Sequence, residues 1–196
     1  MKKGKLLWIV AIVVALGLFG WCKNTYNGMV SADEGVQSAW SQVENVYQRR
    51  ADLIPNLVAT VKGYAEHESG TLEAVVEARA KATQTTVDPS QLTAENIAKF
   101  QAAQGELGSA LGRLLVTVER YPDLKANQNF LELQAQLEGT ENRISTERMK
   151  FNETAKSYNT LIRSFPQNIL ASIFSFTPKG YFKAAEGSEN APKVEF

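Results

Sequence analysis

The chain is poor in the residues from which catalytic and metal sites are most often built. Its 196 residues contain one cysteine, Cys22, and one histidine, His67. No disulfide, no CxxC pair and no zinc set of Cys and His ligands can be assembled from them. Glycine-rich phosphate loops and nucleophile elbows are absent as well. Charge of one sign is also lacking, because 21 basic and 21 acidic residues cancel. Three lysines precede residue 6, so the body of the chain beyond the first apolar run holds 18 basic against 21 acidic residues. A mildly acidic body has no electrostatic footprint for nucleic acid. With 44% hydrophobic and 21% charged residues, the composition excludes both wholesale disorder and a multi-span membrane protein.

The one long hydrophobic run is Leu6 to Cys22, uncharged throughout and preceded by Lys2, Lys3 and Lys5. Its seventeen residues give about 26 Å of helix, near the lower limit for crossing a hydrocarbon core of about 30 Å. Trp8 and Trp21 stand near its two ends, where amphipathic rings favour the interfaces. A cleaved signal peptide would want small residues before the cut, and a lipoprotein would acylate Cys22; Gly20-Trp21-Cys22 suits neither. A retained anchor is the favoured reading. The basic start places residues 1–5 in the cytoplasm and the body outside it, in a periplasm or the extracellular space, with Lys23 weakening the asymmetry.

Beyond the anchor the apolar residues keep heptad spacing. Val36, Trp40, Val43, Tyr47, Ile54, Leu57, Val61 and Tyr64 fall on one helix face, with Arg50 and Glu68 as intruders, and the phase slips by one before Leu72. Pro55 lies inside this run and predicts a kink. The spacing passes through it unbroken, which predicts one long bent helix over 28–84. Thr85 to Ser90 reads as a turn, and Thr93 as the cap of a second helix ended by Pro122. A third stripe runs from Phe130 to Phe165 and stops at Pro166. Residues 167–176 are apolar enough for a short fourth helix, and from Thr177 to Phe196 the composition predicts a mobile tail. The fold class is therefore all-α: an anchor over 6–22, then an up-and-down bundle of long antiparallel helices over 24–176.

Polar residues interrupt the stripes at Arg50, Glu68, Arg79, Gln104, Gln134, Glu141 and Arg148. Counting outward from the turns near Asp88 and Pro122 places Glu68, Arg79, Gln104, Glu141 and Arg148 within about two turns of one level. The favoured reading is a register-fixing ionic network, since buried charges need partners. Solvent exposure on a wide groove and a ligand-binding or hydrolytic site built on Glu68, Arg79, Glu141 and Arg148 are the alternatives. His67 reads as an exposed helix residue. Gly105, Gly108 and Gly112 read as small residues that permit close helix approach. Val194-Glu195-Phe196 is a weak match to a carboxylate-capturing module.

Several blocks resemble the LemA family. They are Tyr26-Asn27, Ala39 to Val43, Arg49 to Val58 (RRADLIPNLV), Val61 to Glu68, Tyr121 to Ala126, Gly139 to Ile144, Arg148 to Asn152, Phe165-Pro166 and Phe174 to Phe176. The resemblance implies a bacterial single-pass membrane protein with a helical bundle. It implies no enzymatic activity, no cofactor, no metal and no catalytic residue set. It also suggests neighbourhood with membrane metalloproteases of the HtpX type, and a magnetosome-membrane branch. A geometric surplus adds a partner prediction: the long first helix outreaches the second, leaving the membrane-proximal face with Val36, Trp40, Val43 and Tyr47 to be covered. Another copy, a membrane neighbour or the C-terminal apolar segment could cover it. The expected role is a membrane-anchored interaction or scaffold protein rather than an enzyme.

Overall fold

The computed structural model describes residues 2–184, with the backbone alone for Lys2, Lys3 and Glu66. Every regular element among them is helical: α1 (Lys2–Lys62), α2 (Ser69–Gln84), α3 (Ala94–Val118), α4 (Pro122–Lys125), α5 (Gln128–Arg163) and α6 (Gln167–Ile173). Single 3-10 turns lie at Glu66–Glu68 and Pro89–Gln91. The 61 residues of α1 make about 90 Å of helix. From Leu6 to Phe19 every side chain is exposed, and this stretch is long and apolar enough to cross a membrane. Burial begins at the half-buried Cys22 and is complete at Met29.

The long bent helix expected over 28–84 is corrected. α1 continues unbroken past Pro55 and stops at Lys62, and α2 folds back along it, so that Arg79 lies beside Ala51. Gly63, a poor helix former, follows Lys62; Tyr64 and Ala65 close the turn on the Val61 carbonyl at 3.0 and 2.9 Å. Pro55 has no N–H, so the carbonyl four residues earlier, that of Ala51, is left without its helical partner. Arg79 Nε donates to that carbonyl at 2.8 Å. The helix therefore tolerates its proline because the neighbouring helix supplies the missing donor.

The other breaks fall where local chemistry puts them. Asp88 accepts from the Ser90 amide at 2.8 Å, holding the turn before Pro89, and Thr93 caps α3 by accepting from Asn96 N at 3.2 Å. Pro122 opens α4, and Asn127 caps α5 through Phe130 N at 3.0 Å. α5 runs antiparallel to α1 from the distal end back toward the apolar run. The distal half is thus a four-helix bundle of α1, α2, α3 and α5, with Ile54, Leu57, Val61, Leu107, Leu114 and Phe130 in its core.

The half nearer the apolar run is built differently. Residues 177–184, expected to be part of a mobile tail, instead climb back between α5 and the start of α3. Three amide side chains clamp this strap in both directions. Asn159 donates to the Lys179 carbonyl and accepts from its amide, each at 2.8 Å. Asn152 does the same with Phe182 at 2.9 Å, and Gln101 with Lys183 at 2.9 and 3.1 Å. Gly180 N donates to Leu92 O at 2.8 Å, and a Cβ on Gly180 would stand 2.6 Å from Ala94 Cα. Phe182 stacks on Trp40 at 5.8 Å between centroids, and Phe100 and Phe151 meet the same indole edge-on.

The strap and α5 cover the face expected to meet a partner. Val36, Trp40 and Val43 are wholly buried and Tyr47 is 5% exposed, so they form an internal core and not an association surface. The geometric surplus is real but is filled by the chain's own C-terminal segment. Residues 185–196, with the C-terminal Val194-Glu195-Phe196, lie outside the described residues.

A polar seam as the candidate functional site

Arg50 is the centre of the polar seam. It enters from α1 with only 3% of its surface exposed, at the boundary between the two cores. Its Nη1 donates to Glu141 Oε1 of α5 at 2.7 Å, and its Nη2 donates to the carbonyl and the side-chain oxygen of Gln104 at 3.0 and 2.7 Å. Gln104 Nε2 in turn donates to Ala82 O of α2 at 3.2 Å. The guanidinium also lies over the Tyr47 ring, 5.1 Å from its centroid. One buried arginine thus ties all four long helices of the bundle together. Such a network fixes which helices pair and at what height, the use of buried ions that is best attested.

The single cluster predicted from register is corrected, because the turn at Gly63 moves Glu68 to the distal tip. There Glu68 accepts from Arg120 Nη2 at 3.1 Å and from Tyr121 OH at 2.9 Å. Arg79 is occupied by Ala51 O. Arg148 donates to Lys183 O at 2.8 Å and lies 4.9 Å over the Phe182 ring, so it holds the strap. Only Gln104 and Glu141 of the predicted set meet, and they meet at Arg50. The Glu68, Arg79, Glu141 and Arg148 site therefore does not assemble. His67 is exposed in the distal turn, as expected.

Two openings flank the seam. On one side Glu141, its side chain half-exposed, reaches a groove of about 510 Å³ between α3 and α5, floored by Leu111 and Leu137 and edged by Gly108 and Gly112. The glycines do not bring helices close: a Cβ at Gly105 or Gly112 would meet nothing within 4 Å, and one at Gly108 only Arg50 Nη1 at 4.0 Å. On the other side a cavity of about 230 Å³ lies between α1 and the end of α2, bordered by Glu44, Tyr47, Phe100 and Gln104. Burial pushes the Glu44 carboxyl above its usual range, with the Trp40 indole pulling the other way. Burial also raises the Tyr47 phenol, opposed by Arg148 and Arg50. Glu44 and Glu141 thus open on opposite sides of Arg50, whose Nη atoms are engaged while its buried Nε has no partner, so they do not form an acid–base pair. Among the described residues no group of three or more His, Cys, Asp or Glu side chains could hold a metal ion.

A second ion pair lies nearer the apolar run. Lys179 Nζ of the strap meets Asp33 of α1 at 2.7 Å, with the lysine side chain 6% exposed. The lysine also lies 5.5 Å over the Tyr158 ring. Burial and then the Asp33 charge push the Tyr158 phenol up to about 12. The pair was not expected from the sequence: the stripe there begins at Val36, one step after Asp33, and Lys179 lies in the segment expected to be a mobile tail.

The family described as LemA matches residues 39–196. The chain belongs to the LemA family. It is 27% identical to Magnetosome protein MamQ 2 of Paramagnetospirillum magneticum over 194 residues, covering 90% of this chain and 71% of that protein. It is 29% identical to Magnetosome protein MamQ of Magnetospirillum gryphiswaldense over 174 residues, covering 80% and 64%. Protein LemA of Metamycoplasma hominis is 24% identical over 183 residues, covering 93% of this chain and 80% of the relative. None of these names denotes an enzyme. The matched region of this LemA-family chain begins one residue before Trp40 and takes in Arg50, Gln104, Glu141 and the strap, the parts that fix the bundle.

Proposed function

We propose that this LemA-family protein is a membrane-anchored interaction or scaffold protein of the cell envelope, with its bundle outside the cytoplasm. The observation that carries this reading is α1 itself. One unbroken helix runs from the apolar span into the bundle, so the anchor and the body share a stiff element and not a flexible linker. The polar residues that suggested a ligand site are engaged in bonds that hold helices and strap in place, which favours a structural role for them. The partner does not dock on Val36, Trp40, Val43 and Tyr47. It meets exposed side chains of the outer helices, Val116 of α3 and Leu131 of α5 among them.

Two measurements test this. Protease added to intact spheroplasts should digest the bundle; digestion only after lysis would place it in the cytoplasm and refute the orientation. Photo-crosslinking residues at Val116 and Leu131 should capture a discrete membrane neighbour in cells, for which an HtpX-type metalloprotease is one named expectation. A chain that yields no adduct from these or other exposed positions of α3 and α5 would refute the scaffold reading.

A further inference from the structure

The foot of the molecule carries an apolar stripe that neither core uses. Phe165, just after α5, and Ile169 and Ile173 of α6 recur every fourth residue and are 81%, 52% and 66% exposed, while Leu170 and Ala171 on the other face are buried. Phe174, half-exposed, sits against Tyr26 at 4.8 Å between ring centroids, so the end of α6 lies at the height of Tyr26 on α1. The half-buried Cys22, last residue of the apolar run, packs against the cluster that includes Leu170 and Ala171. The helix that carries the stripe therefore packs against α1 just beyond the exposed apolar run.

Height decides what can cover it. Tyr26 is four residues beyond Cys22, about 6 Å along the helix axis. The polar layer on each side of a bilayer is about 5–7 Å deep. With residues 6–22 in hydrocarbon, α6 falls inside that layer, where amphipathic helices lie with their apolar face buried. Charge agrees. From Thr154 to Ala185 the sequence holds no Asp or Glu but does hold Lys156, Arg163, Lys179 and Lys183, and between Leu6 and Ala32 the only charge is Lys23.

We infer that Phe165, Ile169 and Ile173 seat in the interfacial layer of the same bilayer that α1 spans, making α6 a second membrane contact that fixes how the bundle stands on the surface. This inference rests on the reading of α1 as a span. A run of about 26 Å is also short for a core of about 30 Å, and a foot that draws the bundle down onto the headgroups offsets that mismatch.

The test is nitroxide accessibility in the full chain, with Cys22→Ser as background, reconstituted in phosphatidylcholine–phosphatidylglycerol vesicles. Single labels go at Ile169, at Ile173, at Val13 in the span and at the exposed Glu153 on α5. These are all exposed positions, so the label does not disturb folding. The expected result is that oxygen collisions outrun those of a water-soluble nickel chelate at Val13, Ile169 and Ile173, and fall behind them at Glu153. If Val13 reads as lipid while Ile169 and Ile173 read as water, the foot is refuted and the anchor stands. If Ile169 and Ile173 are shielded from both reagents and broaden by contact between copies, the stripe is a protein interface and the inference is refuted. If Val13 itself reads as water, the spanning reading fails and the foot fails with it.

Discussion

Replacing Arg79 by methionine in two backgrounds, with Pro55 and with Pro55→Ala, isolates the bond by which α2 repairs α1. In the native chain the Ala51 carbonyl has no helical donor, because position 55 is proline, and Arg79 Nε supplies one at 2.8 Å. Ala51 is 3% exposed, so water cannot readily replace the arginine. Leaving a buried carbonyl unpaired costs about 1–3 kcal/mol, and methionine keeps the apolar stem so that packing changes little. Pro55→Ala restores an amide N–H to the same carbonyl, after which Arg79→Met should cost only a few tenths of a kcal/mol, the usual scale for a half-exposed side chain. The coupling between the two positions is then about 1–2 kcal/mol. Urea unfolding of the four full-length proteins in one detergent, followed by helical circular dichroism, measures it. Equal losses in both backgrounds, within the roughly 0.3–0.5 kcal/mol expected of independent sites, would refute the compensation.

The Arg50 network predicts an asymmetry: Arg50→Met should destabilise by about 2–3 kcal/mol, since it leaves the buried Gln104 without its donor, while the half-exposed Glu141 turns to water. Glu141→Gln, half-exposed and able to keep one hydrogen bond, should cost about 1 kcal/mol in the same assay. Trp40→Glu should unfold the half nearer the apolar run, because an indole of this burial contributes on the order of 4–6 kcal/mol and a charge would take its place. Loss of self-association with that half still folded would contradict this. Gly180→Ala should release the strap, seen as faster amide exchange over residues 179–183 with α2 unchanged, because its Cβ would overlap Ala94. Tyr158 sets a pH window: its folded pKa of about 12 lies above the usual 10, so the unfolded chain loses its proton first. Stability from this group is complete below about pH 10 and declines as the pH rises toward 12, and a midpoint in urea that does not move over that window would refute it.

The helical class, the long apolar start of α1 and the stops at Pro122 and Pro166 are legible because each rests on local chemistry: spacing of apolar residues, a missing amide, a capping side chain. The hairpin at Gly63 is hidden for a physical reason. Proline attracts the break, yet Pro55 is rescued by a residue twenty-four positions later, a long-range fact that local rules do not carry. The one-residue phase slip before Leu72 is the visible trace of the true turn, and Gly63 stands just ahead of it. Once the turn moves, the register moves with it, and Glu68 leaves the seam for the distal tip. Arg50 is legible as an intruder on the stripe; its partners are not, because they depend on that register.

The strap is illegible for a different reason. Thr177 to Ala184 has neither helical nor strand periodicity, and its order comes from side chains elsewhere: Asn152 and Asn159, one heptad apart on α5, and Gln101 on α3. Each amide offers both a donor and an acceptor, which is what one residue of extended backbone requires, so three of them act as a discontinuous partner strand. This explains why the stripe of Val36, Trp40 and Val43 needs no second protein. It also divides the molecule by labour. The distal half is held by helix-on-helix packing around Arg50, whereas in the half next to the apolar run the strap completes the core. Stability of this half is thereby tied to a segment remote from α1 in sequence, and the asparagine pair on α5 is the feature of the sequence that should identify the same arrangement in a related chain.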